Sequence, residues 1–493
     1  MGGIVLTNDG NSILREIDVV HPSAKQMMEL SRILDEEVGD GTTSVVILAG
    51  ELLTLAEPLL EKSVHPLDII RGYNMALKDA LECMNKGPLS HVLDTNNEDE
   101  LNQVVKACLG TKISSKHYDT LRPMVIQAVK SVQQNTKEDG DHHIDIKRFV
   151  KIEKIPGGSF SESELLSGVM LNKDLVHPRM RRHIRDPRVL LLDTPLEYKK
   201  PETSFNMEVQ NDDDFEKLIL MEEEYVREMC KTIISFKPDI VVTEKGVSDL
   251  AAHFFHKANI SVIRRVRKTD NIRIGRATGA RINSSADEIK EDSIGVKCGL
   301  FELRKIGDEY FSYFVECKDN KACSIVLRGA SKDALNEVER NLRDALCVAR
   351  NVLFNPRVAY GGGSLEIELS QRLYEKSLSI EGVQQLAYKN VATALEVIPR
   401  TLAQNCGASV ARILTELRAK HHAADGVYWG LDGLNGSVVD VSTLQIIEPL
   451  EVKCQILKTA IEAACTMLRI DDIISGVKAQ SDQSTSKNTN EDE

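Results

Sequence analysis

Length, composition and charge narrow the class of protein that this chain can be. It has 493 residues, 42% of them hydrophobic and 28% charged, as in a globular protein with a substantial core. The balance of 62 Lys and Arg against 75 Asp and Glu gives a net charge of −13, which argues against nucleic acid as the main partner. Neither a membrane-spanning run nor a secretory signal is recognisable in the sequence. A cytoplasmic protein with no membrane partner is therefore expected.

Helices are predicted on both sides of a glycine-rich turn near the start of the chain. Apolar residues recur at helical spacing over Ser23–Glu37 and again over Thr43–Glu61. Between them stands VGDGTTS, at 38–44, where Thr42 or Thr43 is expected to cap the second helix. Two more helical patterns follow, at Pro66–Lys86 and Asn97–Cys108.

The middle of the chain changes to short apolar runs bounded by turns, which are typical of strands. These runs alternate with helical stretches, so an α/β or α+β region is predicted. A polar, unpatterned excursion at 199–214 is followed by a charged helix at Phe215–Ile234, and such an excursion indicates a functional loop or a protrusion. The four predicted strand regions are Val189–Tyr198, Asp239–Glu244, Asn259–Val266 and Tyr310–Lys318.

Helices return after residue 324, and the chain closes on a polar tail. The last stretch, from about 477 to 493, lacks apolar anchors and is expected to be disordered. The predicted helices are Ser331–Val352, Ser364–Lys376, Gly382–Leu402, Val410–His422 and Pro449–Leu468.

The VGDGTTS turn can be interpreted in two ways. A glycine turn that opens a helix suits an anion such as phosphate, because free backbone N–H groups and the helix dipole both attract negative charge. Asp40 would repel a phosphate, which favours the simpler interpretation of a capped helix. A Mg²⁺ ion held by Asp40 would reconcile the acid with the anion, since Mg²⁺ commonly binds to one or two carboxylates together with phosphate oxygens.

Four further motifs are weak signals when each is taken alone. TNDGNSI, at 7–13, has the Asp-Gly pair of a hairpin turn. Asp344 lies in a charged helical pattern, which predicts a solvated helix face. YGGGS, at 360–364, is a glycine turn that either admits a ligand or simply connects two elements. WGLDGLNGSVVD predicts a hairpin that ends on Asp440, an acid that could accept hydrogen bonds from a ribose.

Taken in order along the chain, these motifs resemble those of the group II chaperonins. The resemblance is carried by TNDG, VGDGTTS, the GGG turn, ALEVIPRTLAQNCGAS, WGLDGLNGSVVD and LRIDDIISG. In the middle of the chain, KIEKIPGG, NKDLVHPRMRR, VTEKGVSDLA and IRRVRKTDN are similar to the eukaryotic cytosolic branch of that family. The resemblance extends from Met1 to about Gly476.

The resemblance implies a multidomain α+β and α/β fold in which three domains are nested by insertion. A helical equatorial ATPase domain would combine 1–95 with 356–493. An intermediate hinge domain would combine 96–168 with 321–355. An α/β apical domain for client binding would occupy 169–320, with a helical protrusion at about 199–225 and client contacts near 247–257.

The resemblance also implies ATP and Mg²⁺ as ligands and assigns roles to matched residues. Asp40 would hold Mg²⁺, Asp344 would deprotonate the attacking water with help from Asp9, and Lys112 would sense the γ-phosphate. Phosphate contacts would come from Gly39, Gly41, Thr42, Thr43 and Ser44, a nucleotide contact from Gly362, and a ribose contact from Asp440.

The implied function is ATP-dependent folding of unfolded client proteins, such as actin and tubulin, by a hetero-oligomeric double ring. Family members carry a further phosphate-binding turn before the position that Met1 matches. A second hypothesis is therefore kept, namely a chaperonin-fold paralogue or truncated isoform that assembles or binds protein but does not hydrolyse ATP. A nucleic-acid binder that uses its basic runs is a third hypothesis, which the net charge of −13 disfavours.

Overall fold

The computed structural model describes residues 5–86, 89–95, 97–110, 112–135, 142–198, 212–422 and 426–473. Most of the predicted protrusion, 199–211, and the predicted tail, 477–493, lie outside the described residues. The elements of the first part are α1 (Gly10–Glu16), α2 (Pro22–Glu37), α3 (Thr42–Glu61), α4 (Pro66–Lys86), β1 (His91–Val92), α5 (Glu98–Gly110), α6 (Tyr118–Val132), β2 (Gln134–Asn135) and β3 (His142–His143).

The middle of the chain is rich in strands, as predicted. Its elements are α7 (Ile146–Phe149), β4 (Val150–Pro156), β5 (Glu164–Leu166), β6 (Val169–Leu171), β7 (His183–Arg185), β8 (Val189–Leu192), α8 (Asp212–Ser235), β9 (Ile240–Thr243), α9 (Asp249–Lys257), β10 (Ser261–Ile263), α10 (Lys268–Thr278), β11 (Ile282–Asn283), β12 (Leu300–Ile306), β13 (Glu309–Val315) and β14 (Cys323–Gly329).

The last part is again mainly helical. Its elements are α11 (Lys332–Phe354), β15 (Arg357–Tyr360), α12 (Ser364–Ser377), α13 (Gln384–Leu395), α14 (Val397–Asn405), α15 (Val410–His421), β16 (Trp429–Asp432), β17 (Ser437–Asp440), α16 (Val441–Leu444), β18 (Ile447–Pro449) and α17 (Leu450–Met467).

Helices from both ends of the chain share one hydrophobic core. The buried faces of α2, α3 and α4 pack with those of α12, α13 and α17. Leu34, Leu52 and Tyr388 are fully buried there, and the Tyr73 hydroxyl donates a hydrogen bond to the backbone carbonyl of Leu52 at 2.8 Å. A three-stranded sheet ties the two ends together, because β15 pairs antiparallel with both β1 and β18.

Among the described residues, α3 alone is long and apolar enough to cross a membrane by length and composition. Val45, Leu48 and Leu52 on this helix are buried, and they belong to the hydrophobic core that α3 shares with its neighbours. This packing is that of a core helix in a folded domain.

The strand-rich middle is built from three sheets. Parallel strands form the order β10-β9-β8-β11, and fully buried runs such as Val189–Leu192 explain why these strands read as continuous apolar stretches. The second sheet has the antiparallel order β6-β13-β12-β7 and is built around the long β12–β13 hairpin at 300–315, and the third has the mixed order β4-β14-β5. The prediction of a multidomain α+β and α/β fold is confirmed.

Three local predictions were wrong. TNDG does not form a hairpin, because Asp9 caps α1 instead. Neither Thr42 nor Thr43 caps α3, whose N-cap is Gly41. The single helix predicted at Gly382–Leu402 is two helices that meet at Glu396, where the pattern of apolar residues continues across the break.

Candidate functional site

The turn at 38–44 is shaped by two glycines in the left-handed region. Gly39 has φ +76° and Gly41 has φ +79°. Residues that carry a Cβ rarely adopt this backbone conformation. Space is also restricted, since a Cβ on Gly39 would lie 2.5 Å from Cys347 Cβ and one on Gly41 would lie 2.5 Å from Ile456 Cδ1. The turn is therefore pressed closely against α11 on one side and α17 on the other.

The start of α3 offers backbone N–H groups that no side chain caps. Helix α3 begins at Thr42, and its N-cap, Gly41, has no side chain to accept a hydrogen bond. Thr42 is buried, Ser44 is half-buried and Thr43 is exposed. These N–H groups and the N-terminal end of the α3 dipole form an arrangement suited to an anion.

Asp40 lies within the turn and faces other acids. It is half-buried, and its Oδ1 accepts a hydrogen bond from Gly41 N at 2.8 Å. A Cβ on the preceding Gly39 would lie 3.6 Å from Asp344 Cα, and the charge of Asp40 raises the pKa values of both Asp344 and Lys112. The structure therefore brings Asp40, Asp344 and Lys112 together, as the resemblance implied.

Asp344 is buried on α11 and forms an ion pair with Lys112. The expectation of a solvated position, drawn from the charged pattern of the helix, was wrong, because Asp344 is only 8% exposed. Its Oδ2 contacts Lys112 Nζ, which is held at the start of the short helical turn Ile113–His117. A lysine and an acid that are 232 residues apart in sequence thus meet beside the glycine turn.

Burial dominates the electrostatics of this acid. It raises the pKa of Asp344 to about 7; Lys112 opposes the shift, and the charges of Asp40 and Asp35 add to it. Burial lowers the pKa of Lys112, but acidic neighbours including Asp344 and Asp40 outweigh burial and raise it. Lys112 therefore remains a cation, while Asp344 titrates near neutral pH.

Asp9 is close to this group but is also a helix cap. Its carboxylate accepts hydrogen bonds from the backbone of Asn11 at 3.2 Å and of Ser12 at 2.9 Å, and from Ser12 Oγ at 2.7 Å. Thr42 Oγ1 lies 3.5 Å from Asp9 Oδ1, so the cap touches the first turn of α3. Asp9 is accordingly held in place at the edge of the site.

Gly362 and Asp440 lie at a second glycine turn. Gly362 has φ +64°, and its carbonyl accepts a hydrogen bond from Leu431 N at 2.9 Å. A Cβ on Gly362 would lie 3.2 Å from Val441 Cγ1, beside Asp440. The hairpin prediction for WGLDGLNGSVVD is confirmed by the pairing of β16 with β17.

Asp440 caps α16 at the end of that hairpin. It accepts hydrogen bonds from the backbone N–H of Ser442 at 2.9 Å and from Ser442 Oγ at 2.6 Å. Among the described residues, the hydrogen bonds of the Asp440 side chain are to its own helix cap and none joins it to the turn at 38–44. Glu448 instead links the two glycine turns. It lies against Gly361, and burial together with the charge of Asp40 raises the pKa of Glu448.

Sequence reasoning missed several charged residues around the turns. Asp35 accepts a hydrogen bond from buried Asn11 Nδ2 at 2.8 Å, and burial, together with Asp9, raises the pKa of Asp35. Lys453 joins Glu366 to Glu448 behind the second turn. The only available signal for Asp35 was its place at the polar end of α2, which is equally typical of a solvated residue.

The residues present fit a magnesium–nucleotide pair. Asp9, Asp35, Asp40 and Asp344 supply four carboxylates, and the cations that act on Asp35 and Asp344 are Lys112 and Arg15, so negative charge exceeds positive charge in this group. Among the described residues, no set of three or more His, Cys, Asp or Glu side chains is placed to hold a metal by itself. An ion at Asp40 would therefore complete its coordination with phosphate oxygens and water, as Mg²⁺ does.

A cavity lies elsewhere in the structure, away from these residues. It has a volume of about 660 Å³ and is lined by residues such as His21, Leu53 and Met467, at the outer ends of α2 and α17. None of the predicted site residues lines it, so it does not belong to this site.

Comparison with known proteins identifies the family. Residues 1–478 match the TCP-1/cpn60 chaperonin family. This chain belongs to the TCP-1/cpn60 chaperonin family. The chain is therefore a chaperonin subunit, and the individual relatives that follow confirm the resemblance to the group II chaperonins. Chaperonins of this family are ATP-dependent as a class.

Individual relatives extend this result over most of the chaperonin chain. T-complex protein 1 subunit gamma of Oxytricha granulifera is 57% identical over 482 residues, which covers 97% of this chain and 85% of that protein. The protein of the same name from Rattus norvegicus is 53% identical, with 98% and 88% covered. The open-state monomer of a group II chaperonin from Methanococcoides burtonii superposes with a TM-score of 0.67 and 33% identity, covering 88% of this chain and 100% of that one.

Proposed function

We propose that this chain is an ATP-hydrolysing subunit of a hetero-oligomeric double-ring chaperonin that encloses unfolded client proteins in the cytoplasm. The observation that carries the proposal is the meeting of Asp40, Lys112 and Asp344 beside the uncapped start of α3. An anion site, a carboxylate for Mg²⁺ and a buried acid that titrates near pH 7 are the parts that phosphoryl transfer to water requires.

Each residue then has a distinct task. Asp40 holds Mg²⁺, which when bound neutralises charge on the ATP phosphates. The backbone N–H groups and the hydroxyl groups of Thr42, Thr43 and Ser44 contact phosphate oxygens, whereas the N–H groups of Gly39 and Gly41 already donate to Leu34 O and Asp40 Oδ1. Asp344 accepts a proton from the attacking water, Asp9 assists, and Lys112 senses the γ-phosphate from its place beside Asp344.

The second glycine turn binds the other end of the nucleotide. Gly362 lies against it, and Asp440 accepts hydrogen bonds from the ribose hydroxyls. The left-handed backbone at Gly362 supports this assignment, because the glycines at 361–363 leave the turn itself without side chains.

We also propose the nested division into equatorial, intermediate and apical domains, with the bounds given by the sequence resemblance. What supports it is the hydrophobic core shared by α2, α3 and α4 with α12, α13 and α17, since it joins the two ends of the chain. Clients would bind along α9 in the apical domain. Phe255 on α9 is fully buried, so client contacts fall to the exposed side of that helix.

The function is tested on the assembly isolated through a tag on this chain. A radioactive photoreactive ATP analogue is cross-linked after a single turnover, the tagged chain is separated from its partners, and the nucleotide on it is analysed. We expect conversion of ATP to ADP on this chain and ATP-dependent protection of a denatured protein from protease. Nucleotide-independent protein capture with only ATP on the chain would favour the non-hydrolysing alternative.

The pH dependence of hydrolysis follows from the raised pKa of Asp344. The base must be ionised, so the fraction of active sites falls as the pH drops through about 7. Lys112 lowers this pKa, whereas Asp40 and Asp35 raise it. Lys112→Met should therefore move the acidic limb of the turnover profile to higher pH, whatever its effect on the maximal rate.

The matched control for this profile is Lys116→Met, an exposed lysine on the same short helical turn. Turnover is measured from pH 5.5 to 9 for the three proteins. An acidic limb that stays in place when Lys112 is replaced would contradict the assignment of Asp344 as the base.

A further inference from the structure

A group of three charges, two of them buried, lies behind the second glycine turn. Lys453 on α17 contacts Glu366 Oε1 at 2.8 Å and Glu448 Oε2 at 2.6 Å. Lys453 and Glu366 are only 8% and 4% exposed, and Glu366 Oε2 has no hydrogen-bond partner among the described residues. Buried charges are costly unless they are paired, so such a group requires an explanation.

Both carboxylates of this group adjoin the GGG turn at 361–363. Glu366 lies in the first turn of α12, directly after the glycines. Glu448 lies opposite Ala359 in the β15–β18 pair, and a Cβ on Gly361 would collide with its Oε1. Lys453 therefore connects β18, which pairs with the strand that precedes the turn, to α12, which follows the turn.

The same helix also supports the first glycine turn. Val452 and Ile456, on either side of Lys453 in α17, are the side chains that a Cβ on Gly41 would meet. The charge of Asp40 adds to burial in raising the pKa of Glu448, which places the three-charge group within electrostatic reach of the proposed metal ligand. One helix thus contacts both turns, and Lys453 is its charged link.

We propose that Lys453, with Glu366 and Glu448, is a positioning group that holds the two glycine turns at the spacing that a nucleoside triphosphate requires. The inference rests on the proposed function, because the ligand is the ATP assigned to these turns. These residues act through the backbone of the turns and do not contact the reacting atoms.

A double substitution distinguishes this positioning role from a purely structural role. Lys453→Met leaves Glu366 buried without a partner, so it should lower both the unfolding temperature and the affinity for nucleotide. Glu366→Gln/Lys453→Met removes the unpaired charge and should restore the unfolding temperature. Because Glu448 still lacks its ion-pair partner Lys453, the affinity for nucleotide should remain about 10- to 100-fold weaker than that of the wild type, a loss similar to that seen when groups that orient metal ligands are removed.

Glu448→Gln is a second, milder test, since this side chain is one-third exposed and its amide fills the same space. We expect weaker nucleotide affinity, a higher KM and a kcat that changes less, at an unchanged unfolding temperature. The matched control is Glu451→Gln/Lys458→Met, an exposed pair on the same helix whose charged atoms are 3.9 Å apart.

Affinity is measured by the anisotropy of a fluorescent ATP analogue on the full chain, and stability by thermal unfolding without nucleotide. If the wild-type chain does not bind the analogue, the proposed function fails. If the wild type binds it and both Glu448→Gln and the Glu366→Gln/Lys453→Met chain bind equally well, the positioning role is overturned while the proposed function stands.

Discussion

Asp344→Asn should reduce single-turnover ATP hydrolysis on this chain by about 100- to 10,000-fold, the usual contribution of a positioned general base. The substitution keeps the shape of the side chain but removes its capacity to accept a proton from water. Nucleotide affinity should change much less, because the phosphate contacts assigned to the 38–44 turn remain.

One complication is the loss of the ion pair with Lys112. Both side chains are largely buried, with exposures of 15% for Lys112 and 12% for Asp344, and breaking such a pair costs about 3–5 kcal/mol. Lys112→Met/Asp344→Asn removes both charges of the pair, so it should recover part of the lost stability without recovering hydrolysis. Recovery of hydrolysis in the double variant would mean that Asp344 acts only through the fold.

Asp333→Asn provides the control on the same helix, because Asp333 is exposed in the first turn of α11. It should hydrolyse ATP at the wild-type rate. Equal losses for Asp333→Asn and Asp344→Asn would show that α11 tolerates no change of charge, and the assignment of Asp344 as the base would lose its support.

The fold was predictable to the extent that local patterns report burial. Apolar periodicity located the helices of the shared core, and continuous apolar runs located the parallel strands. The same patterns could not find the break at Glu396, since apolar residues continue through it. An Asp-Gly pair is compatible with a hairpin or a helix cap, and the packing of α1 against α2 decided the case of Asp9.

The candidate site was less predictable, because its chemistry depends on long-range contacts. A charge on a helix such as α11 reads as solvated until the element that covers it is known. Lys112 reaches Asp344 across 232 residues, and Lys453 reaches Glu366 across 87. Only the ordered set of motifs shared with the chaperonins pointed to Asp344 and Lys112, and nothing in the local sequence distinguished Lys453 from an ordinary helix residue.

Asp40→Ala should change nucleotide affinity in opposite directions with and without Mg²⁺. With Mg²⁺, the variant loses a metal ligand, so it should bind nucleotide more weakly than the wild type. Hydrolysis should also fall by roughly 100-fold or more, since a catalytic metal contributes several kcal/mol and 1.4 kcal/mol corresponds to a tenfold change. With EDTA, the variant should bind the fluorescent ATP analogue more tightly than the wild type, because a carboxylate that repels phosphate has been removed.

This reversal separates a metal ligand from a structural acid in the turn. Asp40 accepts a hydrogen bond from Gly41 N, so a purely structural role predicts weaker binding under both conditions. Glu36→Ala, an exposed acid four residues earlier, removes the same charge at a greater distance and should leave both affinities close to those of the wild type. Tighter binding in EDTA together with weaker binding in Mg²⁺ can arise only if the metal makes the Asp40 carboxylate compatible with the phosphates, and a loss of equal size in both conditions would refute that role.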